Sequence, residues 1–220
     1  MQFKRMVFFQ TLAIAMMVAI HAMADFSFIA PEYQTGNEEI PKLKNPVTVE
    51  YLKAHLSDQT PRLVLNPQIE RHLRKALKHD PVVQNMYKAI KLNGKQILDK
   101  PLLERKLVGR RLLGTSREML YRMNMLAMIY RIEKDARILK RIDQEVRTIC
   151  GFEDWNPSHF LDVAEMSLAI ALAVDWAGQD LPPSTVQLAK NSLVEKGIKP
   201  SFRDKGYTGW ISNNNNWNQV

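Results

Sequence analysis

One cysteine, Cys150, is all that 220 residues contain. That excludes an intrachain disulfide and any zinc site built on thiolates, and it leaves Cys150 as a small apolar group at a helix end. Histidine is scarce too. Beyond the first 24 residues there are His55, His72, His79 and His159, with neither H-x-x-x-H nor H-E-x-x-H spacing, so no metal site is suggested and no cofactor is implied. No stretch alternates apolar and polar residues with a period of two, which argues against strands. Neither an aromatic-interleaved RNA motif nor a recognition-helix signature occurs, which argues against nucleic acid as a partner.

Long apolar runs are missing as well, with one short exception at the start. There "MQFKR" is basic, "MVFFQTLAIAMMVAI" is apolar, and "AMA" before Asp25 follows the small-x-small cleavage rule. The run is shorter than the ~20 residues a bilayer span requires. The pattern predicts a signal peptide over 1–24, cleaved after Ala24, in preference to an N-terminal anchor helix. Removing 24 of 220 residues leaves 196, expected in the periplasm or outside the cell and free of the membrane. No cysteine stands at the cleavage point, which argues against a lipoprotein.

Cleavage removes Lys4 and Arg5 and lowers the formal charge from +8 to +6. A basic exported protein favours polyanions, whether nucleic acid, anionic lipid or acidic polysaccharide. The basic residues are spread through "RHLRKALKH", "ERKLVGRR" and "RILKRIDQEVR" rather than collected in one arm. Solvated helix faces account for most of them.

What remains reads as helix. Residues 25–60 form an irregular lead-in punctuated by Pro31, Pro41 and Pro46, with a short helix at 48–56. Asn66 is a good N-cap, Pro67 suits the first helical position, and Ile69, Leu73, Ala76 and Leu77 make one apolar stripe. Pro81 opens a further helix, bent or weakened at Asn93-Gly94. Thr115 and Glu118 have capping-box spacing ahead of a stripe formed by Met119, Leu120, Met123, Leu126, Ala127 and Tyr130. A second stripe, Ile138, Leu139, Ile142 and Val146, closes at Gly151. The next helix runs from Ser158 to Gly178, and a last one from near Pro183 to Gly197.

Two helical hairpins thus start at Thr115 and Ser158, 43 residues apart. That period suits a HEAT-like solenoid or a curled ring of hairpins, the α/α toroid. "FLDVAEMSLAIALAVDWAG" is apolar nearly all round, with Asp162, Glu165 and Asp175 as its acids, and so is expected to be buried on most sides. The inner ring of a toroid offers that environment.

Two stretches carry candidate chemistry. In "GFEDWNPSHFLDVAEM", Trp155, Asn156 and His159 lie in the loop and first turn of the most buried helix, where exposed N–H groups suit anions. The plainer reading makes Asn156 and Ser158 helix caps and His159 a packing residue. The tail "GYTGWISNNNNWNQV" combines Tyr207, Trp210 and Trp217, which could stack on sugar rings, with amides that could bind hydroxyls. The plainer reading there is a polar linker, although tryptophan seldom brackets one.

With "VEKGIKPS" and "NNWNQV" following in order, "GFEDWNPSHFLDVAEMSLAIALAVDWAG" resembles the N-terminal helical domain of the heparinase II/III-like polysaccharide lyases. The similarity runs from about Pro61 to the last residue. It implies an all-α domain over 61–220, an incomplete α/α toroid. Antiparallel β-sheet domains follow it in the family and are missing here. It further implies β-elimination on a uronate-containing polysaccharide, heparan-type or alginate-like. Removing the C5 proton builds charge beside an existing carboxylate, so an amide or imidazolium must hold that carboxylate, as oxyanion donors do elsewhere. The family motif places this role on Asn216, or on its neighbour Asn215; Asn215, Trp217, Asn218 and Gln219 around it, with Trp155, His159, Tyr207 and Trp210 from the two stretches above, are the substrate-binding candidates. The family's catalytic Tyr and second His lie beyond that motif, and no tyrosine here (33, 51, 87, 121, 130 or 207) occupies the position. On this reading the chain is an N-terminal fragment, inactive alone and poorly stable, with apolar surface exposed near its last helix. The alternative is a secreted helical-repeat module that binds a glycan or protein without chemistry.

Overall fold

The protein's structure, a computed structural model, describes residues 47–56 and 59–202. The expected signal peptide and the candidates Tyr207, Trp210, Asn215, Asn216, Trp217, Asn218 and Gln219 lie outside the described residues. Among the described residues, regular structure is helical: seven α-helices and no strand, beyond an isolated bridge between Val108 and Arg111.

Caps set most of the helix starts. The hydroxyl of Thr48 accepts from the Tyr51 N–H and begins α1 (Val49–His55), a helix with no buried residue. Asn66 accepts from the N–H groups of Gln68 and Ile69 at 2.9 and 2.8 Å and begins α2 (Pro67–His79). Pro67 takes the first helical position, where its missing N–H costs nothing. Asp80 performs the same service for α3 (Pro81–Leu98).

Helix α3 runs unbroken through Asn93 and Gly94, the point where the sequence suggests a bend or a weakening. Gly94 serves packing instead. A Cβ on it would lie 2.1 Å from Cδ1 of Ile129, so the missing side chain lets α3 approach α4 (Leu113–Glu133).

Helix α4 also departs from expectation at its start. Leu112 is the N-cap and makes no side-chain cap bond. Thr115 donates to the Glu104 carbonyl, while Glu118 binds Lys100 and Arg122, so the capping box does not form. The spacing was right, but tertiary partners took both side chains. Lys134, with φ of 56°, ends α4, and Asp135 caps α5 (Ala136–Cys150). Gly151 closes α5 as expected, though in right-handed geometry.

Helix α6 (Phe160–Ala177) starts two residues later than expected, and α7 (Pro183–Ser192) passes into a π-helical turn at Leu193–Ile198 and a 3-10 turn at Lys199–Phe202. Helix α6 packs most extensively on α4, while α5 packs on α7, giving two layers of paired helices. Met119, Met123, Leu126 and Ala127 of α4 join Met166, Ala169, Ile170 and Ala173 of α6 in one buried cluster. The expected burial of α6 holds on most sides, with Ala164 and Leu168 left exposed. Val194, Ile198 and Phe202 are exposed beyond α7. No helix among the described residues is long and apolar enough to cross a membrane.

The three acids of α6 are all engaged. Asp175 accepts the N–H groups of Arg62 and Leu63 at 2.8 and 2.9 Å, tying the incoming chain to the C-terminal end of the helix. Glu165 accepts the Ser116 hydroxyl at 2.7 Å and pairs with Arg117. Asp162 belongs to the site.

Candidate functional site

Asp162 is completely buried in the first turn of α6, and a buried carboxylate must be surrounded by donors. Its Oδ2 accepts from Nδ2 of Asn156 and from the backbone N–H of Leu112, each at 2.7 Å. Its Oδ1 lies 3.0 Å from Nδ1 of His159. A carboxylate can only accept, so the Nδ1 facing it carries a proton. The imidazole is then fixed in one tautomer, with Nε2 on the ring edge turned away from Asp162. That ring is partly exposed. Orientation of an imidazole by a carboxylate on its far nitrogen prepares the near nitrogen to accept a proton or, when charged, to hold an anion.

Asn156 connects the site to its surroundings. It sits in the left-handed region, φ 59°, which asparagine tolerates better than most residues. Its N–H donates to Asp154, its Oδ1 accepts from the Ser158 hydroxyl, and its Nδ2 donates to the Arg110 carbonyl at 2.9 Å as well as to Asp162. Neither Asn156 nor Ser158 caps α6, so the plainer reading of these two residues does not hold.

The loop before α6 is clamped from below. Arg105 pairs with Glu153 and Asp154 at 3.0 and 2.6 Å. Burial raises the Asp154 pKa, but the Arg105 guanidinium and the Asn156 N–H more than offset it and hold the carboxyl below its ordinary value. Lys196, from the π-helical turn, donates to the carbonyls of Cys150 and Phe152, and burial lowers its ammonium pKa. Gly197 lets that turn close on α6, since a Cβ there would meet Oγ of Ser167 at 2.7 Å.

Trp155 was expected to contact sugar directly. It is 0 % exposed and its indole N–H donates to the Ile149 carbonyl at 3.1 Å. A ring with no open face cannot stack on a ligand, so Trp155 is a core residue that supports the loop.

Above the site runs the segment leading into α4. Val108 and Arg111 exchange backbone hydrogen bonds of 2.9 and 3.3 Å around Gly109, whose φ is 60°. Arg110 and Arg111 are exposed at this turn. Every other described arginine except Arg71 pairs with a carboxylate. Arg110 and Arg111 thus stand out among the described arginines in forming no ion pair.

Of the sequence candidates, the structure brings together Asn156 and His159. Asp162 and the two arginines were not singled out in the sequence. The three-residue spacing from His159 to Asp162 marks one helix face and was legible. The link to Leu112, 50 residues away, had no sequence signal. Among the described residues no cluster of His, Cys, Asp or Glu could hold a metal ion. The chain matches no protein-family model, and no curated protein matches it significantly.

Proposed function

We propose that this chain is the polymer-binding helical part of an exported polysaccharide lyase acting on a uronate-containing glycan, and that its hairpins belong to an incomplete α/α toroid. One observation carries the reading: one buried carboxylate holds both His159 and the backbone next to an exposed pair of arginines that forms no ion pair among the described residues. Such a constellation suits a carboxylated sugar. In β-elimination the C5 proton leaves, charge grows on the uronate carboxylate, and the bond from C4 to the bridging oxygen breaks. Cations and amides around the carboxylate lower the barrier. Asn216 would hold the carboxylate, with the neighbouring residues 215 and 217–219 and the aromatics Tyr207 and Trp210 along the polymer. The paired layers, α4 on α6 and α5 on α7, support a ring or a solenoid of hairpins, and the resemblance favours the ring.

A second reading, a binding module without chemistry, draws on the tyrosines. Burial raises the Tyr121 phenol, and burial with the Asp180 carboxylate pushes Tyr130 up to about 12. Phenols so disposed are poor proton acceptors at neutral pH.

Two measurements test the proposal. Retention of the chain on immobilised alginate or heparan sulfate at low salt supports polymer binding, and passage through both columns refutes it. Ultraviolet absorbance follows the double bond conjugated to the carboxylate that elimination creates. It should be read for this chain and for a version extended by the codons that follow Val220 in its gene. Absorbance in neither, with retention intact, leaves the binding module. The mass of protein recovered from the periplasm or medium tests export: loss of residues 1–24 is expected, and a full-length mass refutes cleavage.

A further inference from the structure

We propose that the Val108–Arg111 turn and His159 form one anion subsite, taking a carboxylate or sulfate group on a sugar ring, with Asp162 as its positioning residue. The inference rests on the polymer reading above and adds residues to it that the resemblance does not supply.

Three observations meet here. The same carboxylate that orients the imidazole also holds the backbone of Leu112, the residue directly after the two arginines. Asn156, bound to that carboxylate, holds the Arg110 carbonyl. The turn and the ring are thus fixed to one buried point by bonds of 2.7 to 3.0 Å, and neither can shift without the other. A fixed backbone keeps the two arginines beside each other at the mouth of the turn, so no loop has to be ordered when a ligand binds.

Charge gives the second reason. Adjacent guanidinium groups repel each other, and elsewhere among the described residues arginines are almost uniformly paired with acids. Arg110 and Arg111 are exposed and in no ion pair among the described residues, while Asp162 is bound by its own donors and lies beneath the surface. An arriving anion would find the guanidinium forks unengaged, and Nε2 of His159 donates to it when the ring is charged. Carboxylate and sulfate both match the fork geometry of arginine. Leu107 and Val108, exposed beside the arginines, offer an apolar surface to the C–H face of a sugar ring.

The test uses the full chain with two probes, an alginate hexasaccharide carrying carboxylates alone and a heparin hexasaccharide carrying sulfates as well, titrated calorimetrically. R110Q/R111Q removes both charges from an exposed turn and should leave the melt unchanged. Its affinity for the preferred probe should fall about tenfold. Tighter binding of alginate assigns the subsite to carboxylate, and tighter binding of heparin assigns it to sulfate. Nitrogen-15 shifts of the His159 ring, assigned with H159Q and read where the ring is neutral, should report a protonated Nδ1 in the parent. They should report a shift toward protonated Nε2 in D162N, a change that a purely structural role would not produce. A parent ring protonated on Nε2 overturns the role of Asp162 even if D162N fails to fold. Unchanged affinity in R110Q/R111Q, with the parent binding, overturns the subsite and spares the polymer reading. A parent that binds neither probe overturns both.

Discussion

The backbone N–H of Leu112 donates to Oδ2 of Asp162 at 2.7 Å, in a buried contact between residues 50 apart in sequence. Leu112 is the N-cap of α4 and Asp162 lies in the first turn of α6, so the two helices that pack most closely begin at a shared carboxylate. Helix N-termini carry partial positive charge from their free N–H groups, and a carboxylate between two of them answers both.

Asp162→Ala should therefore cost about 3 kcal/mol, because the Leu112 N–H and one N–H of the Asn156 amide, whose other bond goes to the Arg110 carbonyl, would be left buried without an acceptor. Asp162→Asn keeps one acceptor and should cost less. Urea denaturation followed by far-ultraviolet circular dichroism gives both values. Equal midpoints for parent and D162A would show that water replaces the carboxylate and that the contact is not structural.

Gly94→Ala sets two opposed effects against each other. Alanine favours an exposed helix by about 1 kcal/mol over glycine. Here the added methyl would stand 2.1 Å from Cδ1 of a buried Ile129, and overpacking of this type costs about 1–3 kcal/mol. G94A should be destabilised, while G94A/I129V, which deletes the offending carbon, should recover to near or above the I129V single variant. Additive effects in that double-mutant cycle would remove the close approach as the reason for glycine.

Much of this architecture was legible from local chemistry. Asn66, Pro67 and the stripes of α4 and α5 are read from neighbours within one or two turns, and those neighbours decide the outcome. Thr115 and Glu118 show where such reading ends. Their spacing satisfied a local rule, yet Glu104 and Lys100 from the preceding segment, and Arg122 one turn further along the helix, bind them instead. Trp155 illustrates the same limit at the site, since an aromatic in a loop reads as accessible until α5 and the π-helical turn close around it. Uncompensated charge is a property of three-dimensional neighbourhoods. Arg110 and Arg111 look like the other basic pairs until the acids have been placed.

Glu70 links stability to pH. Burial raises its pKa, but bonds to Arg74 and Arg131 outweigh that and hold the carboxyl below its ordinary value. A group with a depressed folded pKa contributes stability that is complete above the unfolded value, about 4.3, and is lost as pH falls through the folded value. The melting temperature should accordingly fall on acidification below that range. In Glu70→Gln the melt should be lower at neutral pH and the gap to the parent should narrow in acid. A gap independent of pH would mean that Glu70 acts through packing rather than charge.

Glu145 poses the sharper energetic question. It is 0 % exposed, and its Oε1 accepts from Arg122 at 2.6 Å and from Arg141 at 2.7 Å, while the two guanidinium groups also donate to the carbonyls of Pro101 and Leu98. Removing the acid alone leaves two cations in the core, so Glu145→Leu should cost about 3–5 kcal/mol. Removing all three charges in R122M/R141M/E145L abolishes that penalty and takes a donor from the carbonyls of Leu98 and Pro101 and from Glu118, which keeps Lys100, all of them where water can reach. The triple variant should therefore be more stable than the single one, by urea midpoint. If it is instead the less stable of the two, the arginines contribute more by fixing the 98–101 segment than they lose by burial, and the network would be a clamp on the end of α3 rather than a charge that merely has to be balanced.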